Sequence, residues 1–347
     1  MTQGMYRIGI VGASSLAGKE LSDALAESAL GASDFVLLDE EDVAGTMTAT
    51  GDEPAFIQRI EAESFAGMDF VFFTGSAAVT QRHWQSARRA GVSIIDMTYA
   101  LEREPGVLVR APWVTEVIGA GEVGPNLETP AVVAAHPVAV MAGLVSARLA
   151  AKLELRSVAV TVLEPASEYG KAAMDELHQQ TVNLLSFQSI PRAEYDAQVA
   201  FNLLPALGTD AKVMLQQTEH RIREEYAGLT GGRLPKLAVQ MIQAPVFHGY
   251  VVSMLVELGA ETTVEAMESA LAGEGVDLVA EESDPPSNLS ATGQDNVMIT
   301  VRGEAEAGGA CTRFWIWMAA DNLKLAARNA IVCAQELRRL RPLGKVQ

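Results

Sequence analysis

The sequence predicts an α/β chain of two domains, a parallel sheet flanked by helices and then a second α+β domain. Three observations predict it. The first third alternates short apolar runs with longer helical patterns, the mark of strands joined by crossover helices. Near Thr129 that rhythm gives way to alternating runs of the antiparallel kind. The 347 residues, 49% of them hydrophobic, suffice for more than one core.

The elements follow in order. Tyr6–Val11 reads as a strand, and Leu16–Leu30 as a helix with Leu21, Leu25 and Leu30 on one face. Phe35–Leu38, Phe70–Phe73 and Ser93–Ile95 are further strands. Thr80 is the expected N-cap of a helix that runs through Ala90 and stops at Gly91. A helix over Pro137–Ala151 leads into the alternating run Arg156–Leu163. Helices are expected over Lys171–Leu185 and Ala211–Tyr226, with a Pro- and aromatic-bearing loop at Ser186–Pro205. Strands Leu237–Gln243, Val251–Glu257, Val297–Arg302 and Cys311–Ala319 follow, with a turn-rich polar stretch at Ala280–Gly293. A long helix, Leu323–Arg341, closes the chain. The domains are expected at 1–133, completed by the C-terminal segment 321–347, and at 134–320.

Charge and cysteine content exclude several classes. With 44 acidic against 26 basic residues the formal charge is −18, opposed to phosphate-backbone binding and to anionic membranes. Trp84, Trp113, Trp315 and Trp317 form no stacking cluster with basic neighbours, so no nucleic acid is expected. The apolar stretch Thr129–Leu155 is broken by Pro130, His136, Pro137, Arg148 and Lys152, and no membrane span is expected. Cys311 and Cys333 make neither a disulfide framework nor a zinc cluster, so no metal is expected. The N-terminus lacks a basic, then apolar, secretory pattern, and a reduced cytoplasmic location follows.

Gly12-Ala13-Ser14-Ser15-Leu16-Ala17-Gly18 follows the first strand and opens a helix. That is the context of a Rossmann-like dinucleotide turn, where backbone N–H groups and a helix N-terminus meet a pyrophosphate. Gly12 and Gly18 stand where glycines are expected, while Ser15 replaces the middle one and its side chain crowds the approach. A tight βα turn with no ligand is the equal alternative. The second strand ends in Asp39-Glu40-Glu41-Asp42, where carboxylates repel a 2′-phosphate and one can bond a ribose hydroxyl. If NAD or NADP binds, NAD is favoured; the competing account is a solvated acidic turn.

These motifs, with Asp69–Ser76, Ile95-Asp96-Met97-Thr98, Ala200–Pro205, Ala244-Pro245-Val246 and Asp321-Asn322-Leu323-Lys324, resemble the aspartate-semialdehyde dehydrogenase family over nearly the whole chain. The resemblance implies an NAD-binding Rossmann-like domain, a dimerisation domain and a C-terminal helix that folds back onto the cofactor domain. It adds Gly75 and Asn322 to Gly12, Ser14, Ser15, Gly18 and Asp39 as cofactor-binding positions.

The family's chemistry is where the resemblance breaks. A cysteine nucleophile is implied at a helix start in Ala135-His136-Pro137-Val138-Ala139, and Val138 stands there, with Ala139 one place on. The family's base position holds Tyr250, with His248 two residues earlier and read as structural or solvent-facing. Gln243 replaces the substrate-carboxylate arginine, Glu102 the phosphate-site arginine and Glu164 the glutamine at the reacting centre. Ser167-Glu168-Tyr169-Gly170 keeps only the ends of a further loop. An amide cannot reproduce a bidentate guanidinium, and without a thiol the covalent route is gone. The expectation is a catalytically degenerate homologue, a homodimeric scaffold or regulatory protein, with hetero-association with an active paralogue as one mode. The alternative is an NAD(P)-dependent oxidoreductase acting on another substrate by direct hydride transfer.

Overall fold

The computed structural model describes residues 6–31, 33–50, 53–119, 124–280, 283–305 and 309–340. The outermost parts of the expected domain spans, 1–5 and 341–347, lie outside the described residues. The chain packs as two compact units. One takes the described residues up to Pro112, those between Gly121 and Ala135, and those from Ala326 onward; the other takes Trp113–Ala120 and His136–Leu325.

In the first unit β1 (Arg7–Val11), α1 (Leu16–Glu27) and β2 (Asp34–Asp39) lead into a hairpin of β3 (Met47–Thr50) and β4 (Glu53–Phe56). Then come β5 (Gln58–Arg59), β6 (Phe70–Phe73), α2 (Ala77–Arg89), β7 (Ser93–Asp96) and β8 (Leu108–Arg110). A short helix, α3 (Pro112–Ile118), precedes β9 (Val132–Ala134) in the chain. Seven strands align in the order β5-β2-β1-β6-β7-β9-β8 with parallel pairing throughout, the Rossmann-like arrangement.

The continuous apolar runs of these strands have a physical reason. Successive side chains point to opposite faces, and both faces of a parallel sheet are covered. Phe70 and Phe72 therefore join Ile8 and Ile10 in one core layer, while Val71 and Phe73 join Val11 and Leu38 in the other. The hairpin β3–β4 and the three-residue strands β8 and β9 were not anticipated, because none offers an apolar run long enough to show a period. The N-cap of α2 is Ser76, whose Oγ accepts from Val79 N at 3.2 Å, one turn ahead of the expected Thr80. Thr80 is inside the helix, 2.9 Å from the Thr98 hydroxyl.

The second unit holds α4 (Pro137–Ala150), β10 (Leu155–Glu164), α5 (Gly170–Leu185), α6 (Leu215–Leu229), β11 (Leu237–Gln243) and β12 (Tyr250–Thr262). It continues through α7 (Val264–Leu271), β13 (Val276–Leu278), α8 (Asn288–Ala291), β14 (Val297–Gly303) and β15 (Cys311–Ala320). Six strands form a mixed sheet in the order β11-β10-β12-β15-β14-β13. The alternation of β10 suggested antiparallel neighbours, and one is: β12 runs antiparallel to it, but β11 runs parallel. The start of α6 falls at Leu215 rather than Ala211, because Lys212 N and Val213 N are held by Glu194 O in a turn.

Helix α4 is apolar on every side and almost wholly buried, as an internal helix must be. The last helix, α9 (Asn322–Leu340), begins in the second unit. From Ala326 it belongs to the first, where Ala327, Ala330, Ile331, Ala334 and Leu337 enter the core at helical spacing.

Candidate functional site

Each unit brings together one set of the residues singled out above. In the first, Gly12 takes φ +84°, the left-handed region that glycine favours, at the end of β1. Its N–H bonds Leu38 O at 2.9 Å. A Cβ on Gly12 would lie 2.3 Å from Gly75 Cα, and one on Gly18 2.3 Å from Gly12 O. Gly12 is thus required by the close approach of two βα turns, and Gly18 by the Gly12 carbonyl of its own turn and by Thr74, whatever the turns bind.

Ser15 is the N-cap of α1. Its Oγ accepts from Gly18 N at 2.9 Å and donates to Thr74 O at 3.0 Å, so the side chain turns inward to the neighbouring loop. Asp39, at the end of β2, accepts from Ser14 N at 2.9 Å with one oxygen and from Glu40 N at 2.9 Å with the other. Of the α1 amides, Leu16 N and Ala17 N meet no acceptor among the described residues. A bare left-handed turn, two uncommitted helix amides and an acidic group at the ribose end fit a dinucleotide.

In the second unit a buried polar network surrounds the start of α4. His136 is fully buried and caps the helix: its Nδ1 accepts from Val138 N at 3.2 Å. That bond requires Nδ1 to be unprotonated, so the ring proton sits on Nε2. Nε2 lies 3.2 Å from the Tyr250 hydroxyl and 3.4 Å from Glu168 Oε1. The His136 N–H donates to Glu225 Oε2 from α6 at 2.7 Å. Tyr250, at the start of β12, and Tyr169, just before α5, reach the same Glu164 oxygen at 3.5 and 3.2 Å. Tyr169 OH also meets Thr218 Oγ1 at 3.1 Å.

Asn322 ties a third edge of this network. Its Oδ1 accepts from Ser167 Oγ and Gly249 N, both at 3.1 Å, and its Nδ2 reaches Glu168 Oε2 at 3.4 Å. Gln243 Nε2 donates to the backbone carbonyls of Glu164 and Ala244 at 3.1 Å each. Glu164 Oε2 and Gln243 Oε1, on register neighbours of β10 and β11, are among the buried oxygens that meet no hydrogen-bond donor among the described residues.

The two carboxylates are pushed apart in acidity. Burial, with Glu168 nearby, raises the Glu164 carboxyl well above its ordinary range despite the Tyr169 and Tyr250 hydrogen bonds. Burial also pushes Glu168 up, but hydrogen bonds from His136, Asn322 and Tyr250 and the attraction of His136 outweigh it, and the group sits below its ordinary range. Burial thus favours the protonated form of Glu164, while its hydrogen-bond donors favour the ionised form of Glu168. Burial and the Glu164 charge raise the Tyr169 hydroxyl well above its ordinary value, which keeps it a phenol.

Val138 lies in the first turn of α4 with no exposed surface, and Ala139 beside it is equally buried. His248 is half-buried, and its backbone carbonyl accepts from Asn288 Nδ2 at 3.4 Å; it has no recorded place in the network. Cys333 is buried, its thiol pushed far up by desolvation and by Glu336. Cys311 Sγ bonds Arg313 O at 3.2 Å on β15. Among the described residues no group of three or more His, Cys, Asp or Glu could hold a metal, and no helix is long and apolar enough to cross a membrane. Sequence reasoning missed His136 as the centre of the network. The available signal was a side chain able to cap, placed directly before a proline at the first helical position.

Comparison with known proteins agrees with the two-domain fold. Residues 7–135 match the semialdehyde dehydrogenase NAD binding domain, and residues 147–325 the semialdehyde dehydrogenase dimerisation domain. A USG-1 protein homolog of Pseudomonas aeruginosa is 30% identical over 334 residues, covering 95% of this chain and 97% of its own length. An aspartate-semialdehyde dehydrogenase of Rickettsia bellii is 25% identical over 338 residues, with 96% and 97% covered. The solved structure of a probable aspartate-semialdehyde dehydrogenase from Pseudomonas aeruginosa superposes with a TM-score of 0.83 at 29% identity, covering 96% of this chain and 98% of that one.

Proposed function

Since the chain belongs to the semialdehyde dehydrogenase family through both its NAD binding and dimerisation domains, we propose that it is a catalytically degenerate aspartate-semialdehyde dehydrogenase homologue, a homodimeric scaffold or regulatory protein of the cytoplasm. The observation that carries this is Val138. At the helix start where the resemblance implies a thiol, a valine without exposed surface is locked behind the His136 cap. The surrounding polar groups bond one another: His136 to Tyr250 and Glu168, Tyr169 to Glu164, Asn322 to Ser167. Neither cysteine substitutes, one being buried in the first unit and the other on a strand away from the network. Covalent aldehyde oxidation therefore has no nucleophile.

The dinucleotide turn supports retained NAD binding over NADP, through Gly12, the α1 amides and Asp39. A bound nicotinamide dinucleotide would supply hydride exchange; Gly12 and the α1 amides would hold its pyrophosphate, and Asp39 would face its ribose. Purified protein with aspartate semialdehyde and either NAD or NADP is expected to give no reduced cofactor. Turnover that persists after both cysteines are replaced by serine would overturn the proposal.

A second function rests on one specific observation, the split pair Glu164 and Glu168. Two carboxyls bridged by Tyr250 and His136, one pushed up and the other held down in acidity, are the kind of pair that donates and accepts protons. It is a direct-hydride NAD(P)-dependent oxidoreductase acting on a less anionic substrate, as Gln243 in place of an arginine suggests. A substrate screen with NADH loss as readout separates the two.

A further inference from the structure

We infer that Glu40 and Glu41 set the cofactor preference of the first unit by holding two arginines, Arg82 and Arg59, in ion pairs that withhold them from a 2′-phosphate. The inference deepens the NAD preference of the proposed function and rests on it. In a dinucleotide turn of this kind an acidic group after the second strand bonds a ribose hydroxyl, whereas an arginine nearby accommodates a 2′-phosphate. Both residue types stand here. Asp39, buried at the end of β2, is fixed by the N–H groups of Ser14 and Glu40, each at 2.9 Å. Arg59 is its register partner on β5, and Arg82 belongs to α2.

Neither arginine is free. Arg82 Nη1 lies 2.6 Å from Glu40 Oε1, and Arg59 Nη1 lies 3.0 Å from Glu41 Oε1. Burial and then Arg82 lower the His83 pKa, and Glu40 raises it, so the start of the acidic run and this turn of α2 share one neighbourhood. The run Asp39-Glu40-Glu41-Asp42 is therefore more than a cluster of like charges. Its first carboxylate is locked to the backbone of the turn, and the next two are each matched by a guanidinium from a different element.

The pairing decides what the turn accepts. A planar guanidinium fits a phosphate bidentately, which makes either arginine a natural partner of a 2′-phosphate. To become one, it must leave its glutamate unpaired beside a group that brings about two negative charges at neutral pH. The new contact is then offset by the lost pair and by that repulsion. A ribose hydroxyl is neutral and leaves both pairs intact. Exposed ion pairs of this kind contribute little to stability, and these four side chains are between 45% and 75% exposed, so the fold does not depend on them.

The test is calorimetric titration of the full chain with NADH and with NADPH, wild type beside the double variant Glu40→Gln/Glu41→Gln, with circular dichroism to confirm folding. Wild type is expected to favour NADH. The double variant is expected to bind NADPH at least about tenfold more tightly than wild type does, as one charge-assisted contact supplies, with NADH changed less than about twofold. Adding Arg59→Ala and Arg82→Ala is expected to abolish the gain. A wild type that favours NADH with a double variant that shows no gain overturns the inference and leaves the NAD preference standing. A gain that survives the loss of both arginines also overturns it, since relief of repulsion then suffices. A wild type that favours NADPH overturns the preference and the inference together, and binding of neither dinucleotide to any of these proteins overturns the dinucleotide reading of the turn with both. Should the combined variant misfold, Glu40→Gln beside Glu40→Gln/Arg82→Ala makes the same comparison.

Discussion

Replacing His136 by alanine removes three interactions at once: the cap on Val138 N, the bond to Tyr250 OH and the bond to Glu168. Losing an N-cap costs about 1 kcal/mol. Leaving the ionised Glu168 with one partner fewer costs about 1–3 kcal/mol. The vacated ring volume, in a helix start packed on every side, adds about 1–2 kcal/mol. Together these give about 3–6 kcal/mol, a large part of the roughly 5–15 kcal/mol that holds a typical domain. For a unit of this size that is a fall of about 6–24 °C in the melting temperature of the second unit. Differential scanning calorimetry at pH 7 reads it directly. His136→Asn, which keeps a capping oxygen, is expected to recover about 1 kcal/mol of the loss. A drop below about 3 °C for His136→Ala would refute the reasoning, because the network would then not be what holds α4 in place.

Glu164 and Glu168 respond to pH in opposite senses. A carboxyl raised in the folded state contributes fully below its unfolded value of about 4.3, and that contribution is lost as pH rises towards the raised folded value. Glu164→Gln is therefore expected to leave stability at pH 4 unchanged and to raise the melting temperature increasingly above it. Glu168, lowered on folding, contributes above about 4.3 and loses that as pH falls, so Glu168→Gln flattens the acid limb of the stability profile instead. Calorimetric titration is expected to show NADH binding more tightly than NADPH, with Asp39→Asn narrowing the difference; equal affinities in the unaltered chain contradict the role of Asp39. A thiol placed by Val138→Cys in a Cys311→Ser background is expected to resist maleimide labelling until the protein is denatured, and prompt labelling would show an open site. Gly18→Ala drives a Cβ against Gly12 O and is expected to cost on the order of 3 kcal/mol, read by thermal melting.

How much was legible beforehand depended on whether a residue's role was local. The runs Ile8–Val11 and Phe70–Phe73 declared buried parallel strands because both their faces are covered, and α9 declared itself through apolar spacing. The paired strands β3 and β4 did not, since four residues each are too few to show a period. The turn glycines were legible as glycines. The cause at Gly12 was not, because the steric demand there comes from Gly75, far along the chain. At the candidate site Val138 and Gln243 could be read as losses, yet the network around His136 joins β10, β12, α6 and the segments flanking α5, and no spacing rule connects those. The inward turn of Ser15 towards Thr74 likewise decides whether that side chain blocks a phosphate, and only the fold supplies it.

The split of the chain between its units bears on how it is synthesised. Ala327, Ala330, Ile331, Ala334 and Leu337 fill the same cluster as Ile8 and Ile10, although nearly the whole sequence separates them. A ribosome releases the second unit's strands well before it releases that helix. The first unit's sheet is thus left with an open apolar layer until that helix is made, and its closure carries a loop-entropy cost. The second unit can complete most of its core before then. In the meantime the uncovered layer is the surface most exposed to wrong association.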